Sequence, residues 1–441
     1  MMKRIKGFRV TVLAGMLAAL PAFGQTLNIT VSNDKTRAQP IAIVPFVQST
    51  DAAVDVAQII DDDLKRSGMF TTLPRANMLE KPTDPAQVNA HNWKVLGMDN
   101  LVIGKVVPGP GPGSISVSFT LIDVLHGDSA TVILNGNDII GKDKLRWRSA
   151  AHQAADMIFE KLTGIRGVFN TQIAYVSSIG NTAANRKFQL YIADSDGENR
   201  RTIAVSREPL MSPAWSPDGR RLAFVGYDRG YSAIYVQTWE TGELKKFVGE
   251  RGINGAPAWS PDGSKLAVTL SFERNPDIYV IDVASGSRTR LTTDPGIDTE
   301  AAWTPDGGTI VFASDRGGQP QLYSVPSGGG AQTRLTYKGN RNEDPQFSPD
   351  GKWLALVNSD GSGYHIGLMN WQTKDVNIIS DGFMDEHPRF APNSQIVIYT
   401  TQGSGGEVLR TATVDGRVHQ TLSQPGTNVR EPAWSPWPPS N

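Results

Sequence analysis

Cysteine is absent from all 441 residues, which excludes disulfide staples, thiolate nucleophiles and cysteine-ligated metal centres. Histidine is scarce: the six, at 91, 126, 152, 365, 387 and 419, are scattered. No His-Glu-x-x-His pair or Gly-x-Ser-x-Gly elbow occurs, and Gly286-Ser287 and Gly361-Ser362-Gly363 fall where turns are expected, so the chain does not read as an enzyme. Neither sign of charge dominates, with 43 basic and 44 acidic residues. Long apolar runs are missing except for Val10 to Leu20, too short for the roughly 20 residues of a membrane span. That run follows Lys3, Arg4, Lys6 and Arg9 and precedes the small residues Ala22-Phe23-Gly24, so residues 1–24 read as a cleaved secretory signal and the mature chain begins near Gln25. Losing those four basic residues leaves 39 against 44 acidic, which provides no basic face for nucleic acid.

Glycine and proline, by contrast, are plentiful and in phase. Ala214-Trp215-Ser216-Pro217-Asp218-Gly219 returns at 258–263, at 302–307 with Thr304 for serine, and at 346–351 with Phe347. Degenerate copies surround Phe390 and Trp434. The six aromatics at 215, 259, 303, 347, 390 and 434 are spaced 44, 44, 44, 43 and 44 residues apart, a period that signals one propeller blade per repeat. Within each copy proline presets φ for a turn and glycine takes the left-handed position, after which a strand returns at once. Leu222 to Val225, Leu266 to Val268, Ile310 to Phe312, Leu354 to Val357 and Ile396 to Tyr399 fill that slot. Ile234-Tyr235-Val236 and Arg290-Leu291-Thr292 exemplify a third and a fourth strand. The unit near Gln172 lacks an aromatic strand before it, and the copy at Trp434 lacks strands after it. Joining the two predicts a closed six-bladed, all-β propeller of WD40-like (PD40-type) repeats, with N- and C-terminal propeller strands paired in one blade.

Ahead of the propeller the texture changes, and residues 40–166 read as a small α/β domain, with the propeller at 167–441. Ile41 to Phe46 reads as a buried strand, Val54 to Gly68 and Lys144 to Thr163 as helices, and Leu101 to Val107, Ile115 to Leu125 and Ala130 to Ile140 as strands. The Gly-Pro run at 108–113 is a hairpin loop, and Asp61-Asp62-Asp63 reads as a solvated helix face. Residues 25–39 stand apart. Leu27-Asn28-Ile29-Thr30-Val31 alternates like a strand, either an edge strand of the α/β domain or one donated to a partner's sheet.

One polar constellation rises above the background. Glu208, Asp298, Glu300, Glu343, Asp344, Asp385, Glu386 and Glu431 are read as standing just before the inner strands, so repeat geometry is expected to gather them at one channel mouth. Carboxylates there could steer a basic partner or hold a hard cation such as calcium, or form a hydrated rim with no ligand.

Several segments carry a resemblance to a known family. Residues 206–219, Asn254 to Trp259, Ser314 to Gly318, Glu160 to Gly167, Asp62 to Gly68 and the terminal Arg430-Glu-Pro-Ala-Trp-Ser-Pro resemble the TolB family, the periplasmic propellers of the Tol-Pal system. The resemblance implies a non-catalytic, monomeric periplasmic docking protein that helps maintain the outer membrane and draw it in during cell division. It implies that the channel mouth receives the lipoprotein Pal and that the strand at residues 27–31 engages TolA. Colicins and other outer-membrane lipoproteins are further partners it suggests. Carried over by motif, the Pal contacts include Ala256 and Thr299-Glu300. Ile253 stands where some members carry histidine, a departure that bears on colicin binding more than on Pal. The pairs Met211-Ser212, Gly255-Ala256, Thr299-Glu300, Glu343-Asp344, Glu386-His387 and Arg430-Glu431 differ from blade to blade and are the expected recognition set, with Ile253 and Asp298 beside them. A competing reading makes the channel a small-ligand or hydrolytic site.

Overall fold

A computed structural model describes residues 38–438 apart from 50–53, 144–145, 181, 183–184, 240 and 423–427. The signal sequence and the strand expected at 27–31 therefore lie outside the described residues. Two compact units are distinguished: one holds the described residues up to Thr171 together with Asp194–Asn199, and the other holds Gln172–Ala193 and the residues from Arg200 onward. The boundary lies a few residues beyond the one at 166 read from composition, and the short segment Asp194–Asn199 belongs to the first unit.

The first unit is built from β1 (Gln39–Ile43), β2 (Val47–Gln48), α1 (Val56–Arg66), β3 (Phe70–Thr72), α2 (Ala90–Val95), β4 (Asn100–Pro108), β5 (Ile115–Asp123), β6 (Thr131–Gly141) and α3 (Trp147–Thr163). Its sheet runs in the order β3-β1-β4-β5-β6, with β2 also pairing β4. β1 is parallel to β3 and β4, and β4-β5-β6 form an antiparallel meander. Alternation along β1 sends Ile41 and Ile43 to the core shared with Ile60, Leu64, Ala151 and Ile158, and sends Ala42 and Val44 to the core around Trp93. Asp55 caps α1 by accepting from Gln58 N at 2.9 Å, and Gly164 ends α3 at φ 73°.

The acidic run on α1 departs from the solvated face expected of it. Asp62 points outward, but Asp61 and Asp63 are buried, Asp63 at 1 % exposure. The helical period puts residue 63 on the same face as Ile60 and Leu64, and Arg66 and His152 meet its charge there. The short elements β3 and α2 carry too few apolar residues to announce themselves by period.

In the second unit six four-stranded antiparallel sheets follow the 44-residue period. The first complete blade comprises Met211–Trp215, Arg221–Asp228, Tyr231–Thr238 and Leu244–Val248. The next four open with the inner strands Asn254–Trp259, Asp298–Trp303, Arg341–Phe347 and Glu386–Phe390. The sixth pairs Asn428–Trp434 with Gln172–Ile179, followed by Lys187–Asp194 and Arg201–Ser206, so the two ends of the propeller sequence share one sheet as expected. Closure removes the free inner edge that an open ring would leave.

The repeated phrase builds the joints between blades. Gly219, Gly263, Gly307 and Gly351 hold φ between 68° and 72°, and a Cβ at any of them would lie 3.3–3.7 Å from the proline of the preceding blade's turn. The turn's aspartate accepts locally: Asp262 Oδ1 takes hydrogen bonds from Ser260 Oγ at 2.6 Å and Ser264 N at 3.0 Å, which hold its carboxyl at about 2. Trp259 and Trp303 each donate Nε1–H to the previous blade, to Ala214 O at 3.1 Å and Ala258 O at 3.0 Å.

Candidate functional site

Each inner strand is interrupted at one place. The pairing register shifts between residues 211 and 214, 255 and 258, 299 and 302, 343 and 346, 386 and 389, and 430 and 433. At each shift a non-glycine residue adopts left-handed backbone: Ser212, Ala256, Glu300, Asp344, His387 and Glu431, with φ between 47° and 56°. Such a conformation costs roughly 1–2 kcal/mol outside glycine, so six of them in equivalent positions form a maintained ring rather than a local accident. A bulge re-aims side chains, and here five of the six residues line a central cavity of about 440 Å³ shared by all six blades.

Side chains of the ring latch one blade to the next. Glu300 Oε2 accepts from Asp344 N at 2.8 Å, and Glu431 Oε2 accepts from Ser212 N. Asp344 Oδ1 accepts from Arg389 Nη1 at 2.9 Å, and Gln346 Oε1 from Phe390 N at 2.6 Å. Glu300 has part of its surface on the channel yet is surrounded by protein. Desolvation, and then the Asp344 carboxylate, raise its pKa, so it holds a proton more readily than an ordinary glutamate.

The structure separates the expected site residues into two sets. Ser212, Ala256, Thr299, Glu300, Asp344 and His387 line the channel. Ile253 is 50 % exposed just before its inner strand, and Glu343 pairs with Arg341 at 3.1 Å in a neighbouring cavity that also includes Ile297 and Thr299. Glu386 is half-buried at the head of its strand.

Asp298, Asp385, Met211 and Glu431 correct the expectation of a common acidic mouth. Asp298 is fully buried, with both carboxylate oxygens on Arg316 Nη2 at 2.9 and 2.8 Å. Asp385 is also fully buried and accepts from Gly382 N at 3.0 Å. Met211 packs among Val225, Ile234 and Trp259, and Glu431 is buried on Ser212 N. For Met211 the reason is its apolar side chain, which the core between blades takes up, and for Glu431 it is the Ser212 N–H of the next blade; for Asp298 and Asp385 it is strand phase. Positions 210, 254, 298, 342, 385 and 429 recur at the repeat spacing two residues before each left-handed residue, and all six are buried. Carboxylates at that phase pin a loop instead of facing the channel.

Sequence reading missed Arg389 and Gln346, which line the channel through their latches, and the apolar rim formed by Ile297 and Met384 in the phase of Ile253. The 44-residue register was the signal that could have found the rim: 253, 297 and 384 are equivalent positions in three blades.

Comparison with known proteins agrees with this geometry. The family described as "TolB beta propeller domain" matches residues 159–438, and "TolB amino-terminal domain" matches 27–130. The Tol-Pal system protein TolB of Thioalkalivibrio sulfidiphilus is 53 % identical over 427 residues, covering 96 % of this chain and 97 % of its own. That of Nitrosococcus oceani is 52 % identical, covering 96 % and 98 %. The crystal structure of TolB from Acinetobacter baumannii superposes with a TM-score of 0.83 at 37 % identity, covering 93 % of this chain and 100 % of that one. The chain thus belongs to the TolB family, the periplasmic, non-catalytic propeller component of the Tol-Pal system.

Proposed function

We propose that the propeller channel mouth is the docking site for the lipoprotein Pal and that residues 27–31 engage TolA, so that the protein links partners that keep the outer membrane intact and draw it in at division. The observation that carries this reading is the ring of left-handed residues, five of which present serine, alanine, glutamate, aspartate and histidine from five blades to one cavity. A backbone device repeated in every blade and presenting variable chemistry suits recognition of one asymmetric partner surface. Calcium is less favoured as an occupant because the carboxylates of Glu300, Asp344 and Glu431 already accept from Asp344 N, Arg389 and Ser212 N. Export with removal of residues 1–24 would put residues 27–31 in the same compartment; N-terminal sequencing of the mature protein checks it.

The decisive test uses soluble Pal and calorimetry. Ile253→Asp changes the mouth without touching a latch, whereas Thr299→Arg also removes the hydrogen bond that Thr269 Oγ1 makes to Thr299 Oγ1 at 3.2 Å; each is expected to weaken Pal binding at least about tenfold, the first with an unchanged melting temperature, because a charge would be buried unpaired in the interface. Wild-type affinity in both variants would overturn the assignment. Deleting residues 25–36 is expected to abolish TolA binding and leave Pal binding intact.

A further inference from the structure

The channel absorbs the ring residues, but a second cluster, inside the first unit, has no part in docking. His152 on α3 is 1 % exposed, and its Nδ1 lies 2.6 Å from Asp63 Oδ2 on α1. Its Nε2 is buried and makes no hydrogen bond among the described residues. It points towards Asp194 Oδ2 at 3.9 Å and Asp196 Oδ2 at 3.8 Å, both in the segment Asp194–Asn199. Two guanidiniums complete the group: Arg66 Nη2 is 2.6 Å from Asp63 Oδ1, and Arg148 contacts Asp194 and Asp196.

The charges decide what occupies the centre. Asp63, Asp194 and Asp196 carry three negative charges against the two of Arg66 and Arg148, so a neutral imidazole leaves one carboxylate uncompensated in a buried site. A proton on Nε2 brings the cluster to balance, whereas a divalent cation beside two guanidiniums would overshoot it. The remaining titratable neighbour on α3, Asp156, is pushed up to about 7 by burial and accepts from Phe169 N at 2.8 Å and Asn170 N at 3.1 Å; Glu198 is exposed at the edge.

We propose that His152 is a proton-keyed clamp on the segment Asp194–Asn199: its imidazolium bridges Asp63 to Asp194 and Asp196, and loss of the proton loosens that turn from α1 and α3. Burial alone opposes the charge, but Asp63, through its field and its hydrogen bond, and then Asp196 and Asp194 raise the pKa of the imidazole above its ordinary value. The sign follows from the raised value. The clamp is fully engaged below about pH 6.5, weakens as pH rises through the folded-state value, and is spent above it.

Hydrogen exchange of the full mature protein between pH 5.5 and 9, corrected for intrinsic exchange, reads the clamp directly. Amides of Asp194, Ser195 and Gly197, which donate to Glu198 O, Thr171 O and Asp194 O, report the turn. Their protection is expected to fall by up to tenfold per pH unit above about 6.5 and then level off, while Val44 N, bonded to Val102 O in the sheet, stays constant. His152→Gln should remove the pH dependence, and Asp156→Asn should keep it. Should His152→Gln not fold, the imidazole NMR titration of the wild type still decides, and Asp196→Asn should lower its midpoint. A midpoint at or below 6.5, pH-independent protection, or dependence abolished by Asp156→Asn alone would overturn the proposal. So would one equivalent of zinc bound at neutral pH in wild type and lost in His152→Gln.

Discussion

Replacing Arg316 by alanine should be among the most damaging single changes in the propeller. Its Nη2 holds both oxygens of Asp298, a side chain with 0 % exposure, and its guanidinium lies 4.8 Å from the ring centre of Tyr323 and 5.5 Å from that of Phe312. Its Nε also donates to Ser314 Oγ at 2.8 Å. Removing it leaves a carboxylate in the blade interior without its cation, which costs about 3–5 kcal/mol. For a unit of this size that corresponds to a fall of roughly 10 °C in melting temperature. Urea unfolding followed by tryptophan fluorescence measures it, using the propeller transition because two units need not unfold together. The diagnostic comparison is the double variant with Asp298→Ala. If the cost is the orphaned charge, Asp298→Ala/Arg316→Ala should be distinctly more stable than the sum of the two single effects predicts. A loss below about 1 kcal/mol, or strict additivity, would refute the reasoning.

Two further outcomes follow from the repeat and the ring. Gly351→Ala meets only the ordinary contact of Pro305 Cγ at 3.5 Å, so its cost should be that of φ 72° alone, roughly 1–2 kcal/mol by chemical denaturation. Glu300→Gln should alter the pH dependence of stability. With a raised folded-state value, Glu300 contributes stability that is present below its unfolded value near 4.5 and lost as pH rises through the folded one, so wild type should lose ground relative to the glutamine variant across that interval. Parallel stability–pH curves would contradict it.

Much of the architecture was legible because the repeat states it in residues with unambiguous backbone demands. Pro217, Asp218 and Gly219 can make little but a turn, and six spaced aromatics require six blades. The α/β sheet was legible wherever apolar alternation ran long, as in β4, β5 and β6. It was not legible in β3, three residues long, or in α2, six residues long, where too few side chains exist to display a period. The Asp61–Asp63 run misled for a related reason: composition suggests water, while the helical phase and a partner 89 residues away put Asp63 inside.

By itself, then, the sequence determined the two-part chain, the six blades, their closure and the family resemblance, since these depend on local turn chemistry and on period. Tertiary structure alone decided which acidic residues face the channel. Asp298 and Glu300 are two residues apart and alike in composition, yet one lies buried on Arg316 and the other lines the cavity. The bulge at residues 299–302 redirects the strand, and the arginine that receives Asp298 comes from the turn after the neighbouring strand Thr309–Ser314. Both depend on what the fold brings alongside, which no count along the chain contains.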